Sequence, residues 1–556
     1  MGSVRHETSR GPRRPRGRQQ RTAAHVWGGR ALAGGNPGEP RGNRDVAQLG
    51  GGVDRGKRGF DRARHVQLVG RGRDRLVGNA DPLRCARWTA SVRHRQGAER
   101  GRLLCGAGTT VFRRPRPARH WPRASRAQGH GAQRTGLDVP GGTDGAAVKV
   151  YFHTFGCKAN QYDTERVRQA FDESGGVAVD DPALADIAVV NSCTVTSESE
   201  VKLRRFVRHI AKASGAQTIV MGCAAALDDG TIAALPSVRA VVANADPAMV
   251  LRAAGLTSPP DPLSVSRRGG TTGKTRALLK IQDGCDEHCT FCATTLARGN
   301  NRSRPVAELV AEARALAEHH AEIVLTGVHI GTYGTDVRGA SCVVRSLGQL
   351  VEVLIDAVPA VRFRLSSVEA TEVDDTLARL LIEAPRNLAA HLHAPLQSGS
   401  NRVLKRMGRH WYTAESYRAR LEWLAERLPV FGLGADVIAG FPGETDADHH
   451  ASLALLHALP FTYLHVFPFS VRPDAAAARL SGQLRPQVIR ERARELRAVG
   501  EAKAAAYRAR RRGQTADGVV SGRHQGRLEV MTEDYLSIYL DTDLWDGRPR
   551  FEVTVN

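Results

Sequence analysis

The segment C-D-E-H-C-T-F-C, residues 285–292, has the spacing CxxxCxxC and directly follows a predicted strand at residues 277–281. A 4Fe–4S cube has four irons, so the thiolates of Cys285, Cys289 and Cys292 leave one iron without a protein ligand. Such an open iron can bind and reduce a substrate. Zinc sites use paired CxxC or Cys/His sets, and no second cysteine pair follows in the sequence. The spacing therefore favours an iron–sulfur cluster over a zinc site or buried structural thiols.

A second set of three cysteines is predicted in the preceding part of the chain. Cys157, Cys193 and Cys223 each come directly after an apolar run. The runs lie at residues 148–154, 186–190 and 218–221. Helical spacing between them indicates alternating strands and helices, and therefore a parallel sheet. Because the carboxyl ends of parallel strands share one edge, the three thiols can converge there. We favour a second three-thiolate cluster over three buried structural thiols.

The sequence after these runs predicts a linker, a barrel and a small β module, within an α/β fold class. Residues 257–275 are rich in Pro, Gly, Ser and Thr and predict the linker. Six further β/α repeats predict a partial (β/α)6 barrel with its chemistry at the carboxyl ends of the strands. Residues 485–512 predict a basic helix, for which RNA contact and a solvated face are the alternatives. Short alternating strands within residues 513–556 predict a small C-terminal β-barrel. The barrel strands are predicted at residues 277–281, 322–328, 361–366, 391–396, 432–438 and 462–467.

Basic residues are concentrated at the amino-terminal end of the chain. Its 556 residues carry a net charge of +23; residues 1–147 hold 31 Lys and Arg against 10 Asp and Glu, and the remainder holds 49 against 47. Such a surplus usually indicates nucleic-acid binding. The segment lacks apolar periodicity, so a disordered RNA-binding arm, a targeting peptide, a folded domain and translated upstream DNA are alternatives. We favour translated upstream DNA of a GC-rich genome, with Val148 encoded by an alternative start codon.

The sequence also predicts the cellular compartment. It has no run of eighteen or more apolar residues, so no membrane span is expected. Nine cysteines without a signal peptide indicate a reducing compartment and metal binding rather than disulfide formation. A cytoplasmic location is therefore expected. Cys85, Cys105 and Cys342 match no motif and are treated as incidental.

From residue 148 onward the chain resembles the methylthiotransferases of the radical S-adenosylmethionine (SAM) superfamily. The resemblance covers an N-terminal methylthiotransferase domain at 148–256, a radical SAM barrel with the basic helix at 276–512, and a short TRAM-like domain at 513–556. Departures are Ala293-Thr294-Thr295 where Ile-Ile-Pro is frequent, His329 where Asn is usual, and Pro473-Asp474 where Gly-Thr is usual. The motifs that carry the resemblance are T-F-G-C-K-A-N-Q-Y-D-T-E (154–165), V-N-S-C-T-V-T (190–196), M-G-C-A (221–224), D-G-C-D-E-H-C-T-F-C (283–292), R-S-R-P (302–305), L-T-G-V-H-I-G-T-Y-G (325–334), L-Q-S-G-S (396–400) and G-F-P-G-E (440–444).

The motifs around the first two cysteines and at 325–334 look most like one branch of this family. That branch adds a methylthio group to carbon 2 of threonylcarbamoyl-adenosine at position 37 of tRNA. The alternatives are the same chemistry on isopentenyl-adenosine in tRNA or on an aspartate of a ribosomal protein. A non-catalytic iron–sulfur electron carrier and an RNA-binding protein with structural clusters are the alternatives from other classes.

The resemblance implies two 4Fe–4S clusters and SAM as cofactors. The cysteines at 285–292 would hold the cluster that reduces SAM to a 5′-deoxyadenosyl radical, and Cys157, Cys193 and Cys223 the auxiliary cluster that supplies sulfur. A second SAM would provide the methyl group. The implied partners are tRNA, a low-potential electron donor of flavodoxin or ferredoxin type and a sulfur source; no membrane is involved, and a monomer is expected.

Further candidate residues for SAM binding, one glycine and three polar residues, lie near predicted strand ends. Alternatively, the glycine only permits a turn and the polar residues are ordinary exposed side chains. Arg302 and Arg304 are expected either to contact a phosphate or the SAM carboxylate, or to lie in a solvated loop. His329 is interpreted as a surface-loop residue. The candidates near the strand ends are Gly327, Glu369, Gln397 and Ser398.

Overall fold

The computed structural model describes residues 147–194, 197–256, 276–337 and 344–556. Residues 1–146 of the predicted extension, the predicted linker, and Cys85, Cys105 and Cys342 lie outside these ranges. Within the described ranges, no helix is long and apolar enough to cross a membrane.

The first part of the described chain is a five-stranded parallel sheet, which confirms the predicted architecture. Its strand order is β2-β1-β3-β4-β5, and each neighbouring pair is parallel. The sequence patterns do not predict β2 and β5, because β2 has only three residues and β5 is interrupted by Arg239, and the side chains of both are largely exposed or half-buried. The elements are β1 (Lys149–Thr154), α1 (Lys158–Glu173), β2 (Val177–Val179), β3 (Ile187–Ser192), α2 (Ser197–Ala213), β4 (Gln217–Gly222), α3 (Cys223–Ala226), β5 (Val238–Ala243) and α4 (Pro247–Ala254).

Six parallel strands then form an open barrel, as predicted. Strands β10, β9 and β6 pair in one sheet and β11, β12 and β13 in another, and isolated parallel bridges such as Phe363↔Leu388 join the two. One continuous apolar core lies between the strands and the surrounding helices. The six barrel strands are β6 (Arg276–Lys280), β9 (Glu322–Thr326), β10 (Arg362–Leu365), β11 (His391–His393), β12 (Gly432–Ala439) and β13 (Tyr463–Pro468). Two short strands, β7 (Gln282–Asp283) and β8 (Arg302–Ser303), form a separate antiparallel pair. The helices are α5 (Thr294–Arg298), α6 (Val306–Ala317), α7 (Leu347–Ala357), α8 (Asp375–Glu383), α9 (Asn401–Arg406), α10 (Ala414–Arg427) and α11 (Asp446–Ala458).

Two barrel strands are shorter than predicted. Strand β9 ends at Thr326 because the next amides, of Val328 and His329, donate to the side-chain oxygen of Gln282 instead of to a neighbouring strand. Strand β11 ends at His393, two residues before Pro395, which has no amide hydrogen to continue the ladder. Both early ends place polar loop residues at the carboxyl edge of the barrel.

The chain ends in a long helix and a small antiparallel sheet. Helix α12 (Pro486–Arg511) starts with Pro at its first turn, where the missing amide hydrogen costs nothing. Two of its arginines, Arg492 and Arg511, are buried in ion pairs, so part of its basic character is structural. The sheet has the order β16-β15-β14-β17, in agreement with the predicted β module, and its first strand is ten residues long. Its strands are β14 (Thr515–His524), β15 (Arg527–Thr532), β16 (Ser537–Leu540) and β17 (Arg550–Thr554).

Candidate functional site

A cavity of about 770 Å³ lies where the amino-terminal sheet, the barrel and the C-terminal sheet meet. Its walls include residues of all three parts of the chain, for example Cys223, Gln397 and Tyr535. The two predicted cysteine sets, far apart in sequence, therefore face one common space. The cysteines in its wall are Cys157, Cys193, Cys223, Cys285, Cys289 and Cys292.

The amino-terminal thiols converge around one asparagine side chain. Cys157 precedes α1, Cys193 follows β3, and Cys223 opens α3 directly after β4. The Asn160 side-chain oxygen lies 3.8 Å from the sulfur of Cys157 and 3.8 Å from that of Cys223. Its nitrogen donates to two main-chain carbonyl groups at 3.0 and 2.9 Å, which fixes the amide. A Cβ atom at Gly156 would lie 2.9 Å from the sulfur of Cys193, so only glycine permits this approach.

Arg298, a residue of the barrel, reaches across to this first thiol set. Its Nε donates to the sulfur of Cys223 at 3.2 Å, and its Nη2 donates to Asn160 at 2.6 Å and to Asp163 at 2.9 Å. Its Nη1 donates to Asp283 at 2.9 Å. Arg298 belongs to none of the motifs found in the sequence. Its position shortly after the third barrel cysteine could have indicated a role at the site, but its partners Cys223, Asn160 and Asp163 lie in another part of the chain.

The barrel thiols lie in a loop between β7 and α5. The amide of Cys285 donates to the Gly299 carbonyl at 3.0 Å, which closes the loop. The sulfur of Cys285 lies 3.5 Å from Nδ1 of His329, and Nε2 of His329 lies 2.7 Å from Glu372. The surface-loop interpretation of His329 is wrong, because the side chain is buried, with 9% of its area exposed. Burial opposes protonation of His329, but Cys285, Glu372 and Glu369 outweigh it and raise the pKa to about 10.

Burial also changes the acidity of two candidate ligand thiols. It raises the pKa of Cys223 to about 11, although the positive charge of Arg298 opposes the change. It raises the pKa of Cys289 to about 12, against the opposing charge of Arg409, whose Nη1 lies 3.5 Å from the sulfur. Both thiols are therefore protonated at neutral pH in the metal-free chain, and metal binding would release their protons.

Three of the four further candidates for SAM binding line the cavity: Gly327, Glu369 and Gln397. Glu369 is buried and accepts hydrogen bonds from Arg409 and from the Trp411 indole. A Cβ at Gly327 would lie 2.6 Å from the main-chain oxygen of Gln282, so packing alone already requires glycine there.

Ser398, the fourth candidate, is not among the described residues that line the cavity. It is buried, and its hydroxyl accepts from the Ser400 amide at 3.2 Å and lies 3.4 Å from the hydroxyl of Ser452. Its contacts therefore stabilise the loop after β11.

The arginines of R-S-R-P do not line the cavity either. Arg304 donates to the Tyr162 hydroxyl at 3.1 Å and to Glu312 at 2.8 Å, and so joins the barrel to α1. Arg302 is exposed and donates to two main-chain carbonyl groups in its own loop. The sequence predicts that Arg304 either contacts a ligand or lies in a solvated loop. Its ion pair with Glu312 agrees with neither expectation.

Histidine and tyrosine side chains form another part of the cavity wall. Nε2 of His391 lies 2.8 Å from the Tyr463 hydroxyl, which also lies 3.0 Å from Nδ1 of His393. Nε2 of His393 lies 2.9 Å from Asp436. Tyr535 of the C-terminal sheet stacks on His391 with ring centroids 4.4 Å apart. The sequence analysis missed this wall, because alternating histidines in a strand also occur on solvated faces.

An open six-stranded β/α barrel with a CxxxCxxC segment after its first strand defines the radical SAM class of enzymes. Comparison with known proteins agrees with this class. Residues 279–456 match the Radical SAM superfamily, and residues 149–243 match the family described as "Uncharacterized protein family UPF0004".

Among curated proteins, the chain is 37% identical to threonylcarbamoyladenosine tRNA methylthiotransferase MtaB of Bacillus subtilis over 64% of this chain and 81% of that protein. It is 32% identical to tRNA-2-methylthio-N(6)-dimethylallyladenosine synthase of Zymomonas mobilis over 63% of this chain and 80% of that protein. A solved structure, the radical SAM methyltransferase TsrM of Kitasatospora setae with tryptophan and a SAM analogue, is 14% identical, covers 60% of this chain and 75% of its own, and has a TM-score of 0.46.

The chain belongs to the radical SAM methylthiotransferase family, and it is a transferase with two 4Fe–4S clusters and SAM as its cofactors. The geometry of the site fits these groups. Each cluster needs three thiolate ligands and one open iron, and the cavity offers two separate sets of three cysteines.

Proposed function

We propose that the chain adds a methylthio group to carbon 2 of threonylcarbamoyl-adenosine at position 37 of tRNA. The single observation that carries the proposal is the pair of three-cysteine sets facing one cavity. One set suits radical formation and the other suits sulfur delivery, so their common space is where the target carbon would lie. The name of the Bacillus subtilis relative supports this substrate, and that of the Zymomonas mobilis relative supports dimethylallyl-adenosine as the second candidate.

We assign Cys285, Cys289 and Cys292 to the SAM-binding cluster, and Cys157, Cys193 and Cys223 to the auxiliary cluster. When bound, the two clusters and SAM supply the radical, the sulfur and the methyl group. Gly327, Glu369 and Gln397 are proposed to border SAM, and their positions at the cavity wall support this. Ser398 is proposed to support the loop that carries Gln397, through its hydrogen bond with the Ser400 amide.

The protein's own contribution is charge placement and exclusion of water. The guanidinium group of Arg298 lies 3.2 Å from the sulfur of Cys223, and that of Arg409 lies 3.5 Å from the sulfur of Cys289. Each stabilises negative charge on its thiolate. The stacked histidine and tyrosine rings line part of the cavity, where they would position a planar base and limit the access of water.

The proposal also includes the partners and the compartment. One-electron reduction of SAM requires a low-potential donor of flavodoxin or ferredoxin type, and repeated turnover requires a sulfur source. We propose that the enzyme acts as a monomer in the cytoplasm, where tRNA and reduced thiols are found.

Mass spectrometry of tRNA nucleosides from a deletion strain tests this function. The methylthio group should disappear from threonylcarbamoyl-adenosine and return with the wild-type gene or with Cys342→Ala, but with neither Cys285→Ala nor Cys223→Ala. Loss of the group from dimethylallyl-adenosine instead would assign the chain to the second candidate. Full activity of Cys285→Ala would exclude the radical mechanism.

A further inference from the structure

Lys158 lies in the first turn of α1, follows Cys157 directly in sequence and lines the cavity that both thiol sets face. Within the described ranges, its side chain forms no hydrogen bond and no close ion pair. A partly buried ammonium group without a close anionic partner loses hydration that more distant charges offset only in part, so the cavity favours an anionic ligand beside it.

The surroundings of Lys158 strengthen this preference. Its ammonium interacts electrostatically with Arg276 and Arg364, which repel it, and with Glu322 and Cys157, which attract it. The carboxylate of Glu322 is already shared, because guanidinium nitrogens of Arg276, Arg362 and Arg364 lie 2.7–2.9 Å from it. A second carboxylate, that of Asp517, lies 3.0 Å from Arg362. Two carboxylates therefore face four cations, and a bound carboxylate would offset the remaining positive charge.

Three anionic groups come near a site of this kind: the RNA phosphates, the SAM carboxylate and the substituent on the target base. Lys158 lies deep enough to interact with the buried His391 in the barrel wall, away from the surface where phosphates bind. Lys158 lies in the amino-terminal sheet domain, which carries the thiols assigned to the auxiliary cluster. The candidate residues for SAM binding lie on the barrel instead. The base substituent fits both observations.

We propose that Lys158 binds the carboxylate of the threonylcarbamoyl group and so selects this modified adenosine. The inference rests on the proposed function, because dimethylallyl-adenosine, the second candidate substrate, has no carboxylate for Lys158 to bind. An ammonium–carboxylate contact of this kind would favour the acid over a neutral analogue about 10- to 100-fold.

The test compares two anticodon stem-loop RNAs, one with threonylcarbamoyl-adenosine and one with its carboxamide, on the holoenzyme under anaerobic conditions. Binding is measured without SAM, and methylthio product and 5′-deoxyadenosine are measured with SAM. The variants are Lys158→Met, Lys158→Arg and, as the matched control, Lys212→Met, an exposed lysine in the last turn of α2. Iron content confirms that each variant holds both clusters.

Wild type and Lys212→Met should bind the acid about 10- to 100-fold more tightly than the carboxamide. Lys158→Met should bind both equally and still cleave SAM, and Lys158→Arg should retain most of the preference. Equal weakening of both RNAs would assign Lys158 to a phosphate, and loss of SAM cleavage would assign it to SAM; either result overturns the inference, as does an unchanged preference. A wild-type enzyme that modifies neither RNA would overturn the proposed function itself.

Discussion

Gly284 stands at a position where a side chain would collide with the main chain of the loop that follows the barrel cysteines. Its φ is +74°, and a Cβ there would lie 1.9 Å from the carbonyl oxygen of Asn300. Gly284→Ala should therefore displace the loop that carries Cys285. We expect the purified protein to lose most of its SAM-binding cluster, as measured by iron content and electron paramagnetic resonance.

Gly255 provides the matched control for this prediction. Its φ is +81°, in the left-handed helical region, and an added Cβ would approach the flexible end of Arg239 at 3.7 Å. Gly255→Ala should therefore cost only the strain of a left-handed alanine, about 1–2 kcal/mol, and keep both clusters. Equal iron content in the two variants would show that the collision at Gly284 is relieved by movement of the loop.

His391 is expected to make the stability of the fold dependent on pH. Burial and the positive charges of Arg364 and Lys158 hold its pKa well below the ordinary value of 6.5. The unfolded chain therefore binds a proton near pH 6 that the folded chain does not bind. Stability should fall as the pH drops below about 6.5, by up to about 1 kcal/mol per pH unit from this residue.

Anaerobic unfolding of wild type and His391→Gln between pH 7.5 and about 5.5 measures this contribution. The glutamine variant should show a smaller loss of stability on acidification, although it is less stable at pH 7.5 because the contact with Tyr463 is weakened. His465, whose side chain is 54% exposed, serves as the control for replacement of a neighbouring histidine. The same slope for wild type and His391→Gln would contradict the prediction.

At the scale of elements, strand β9 begins with a carboxylate that holds three arginines inside the barrel. Glu322 is fully buried and contacts Arg276 of β6 and both Arg362 and Arg364 of β10. These guanidinium groups lower the pKa of Glu322 and outweigh the effect of burial. Arg362 and Arg364 also donate to main-chain carbonyl groups of the C-terminal sheet. The carboxylate thereby stabilises both the barrel and its contact with the C-terminal sheet.

Glu322→Gln should be strongly destabilising, because it removes the anion shared by the buried Arg362 and Arg364 and the partly buried Arg276. Of the three, Arg362 keeps a second carboxylate, that of Asp517. We expect a loss of about 3–5 kcal/mol in the free energy of unfolding. Glu352→Gln removes one partner of an exposed pair with Arg379 and should cost at most about 1 kcal/mol. Chemical denaturation of both variants makes the comparison, and losses of similar size would show that the buried network is not a stabilising unit.

The elements and the ligand residues differ in how far the sequence predicts them. Strands β3 and β4 are almost entirely buried and β1 is mostly half-buried, and all three are predicted from the sequence, whereas the more exposed edge strands β2 and β5 are not. The cysteines are predictable because short spacings and strand ends bring them together. Arg298 is not, since its partners Cys223 and Asn160 lie 75 and 138 residues away. Such contacts depend on how the sheet and the barrel meet, which no local pattern describes.

On the scale of the whole molecule, polar contacts hold the amino-terminal sheet against the barrel. The Tyr162 hydroxyl lies 3.0 Å from Glu312 of α6, and Arg472, which follows β13, lies 2.7 Å from Glu200 of α2. Asp163 pairs with both Lys280 of β6 and Arg298 of α5. These contacts set the separation of the two thiol sets, because each set belongs to a different part of the chain.

Asp163→Asn should therefore uncouple radical formation from sulfur transfer. The neutral amide removes the ion pairs that join α1 to Lys280 and Arg298, which keep only Asp283 of the barrel itself as a shared carboxylate among the described residues. The sheet and the barrel therefore hold their relative positions less tightly. We expect SAM cleavage to continue, because the barrel thiols do not contact Asp163. The yield of methylthio product per 5′-deoxyadenosine should fall about tenfold or more, since small misplacements of reacting groups have large effects on rate.

Glu198→Gln, which alters an exposed helical pair with Lys202 on the same sheet domain, is the control and should keep the wild-type yield. Both products are quantified in one anaerobic reaction with tRNA, and iron content is measured beforehand. A parallel fall of both products in Asp163→Asn would indicate a general loss of folding. An unchanged yield would mean that the other contacts, through Glu312 and Glu200, are sufficient to keep the two thiol sets in place.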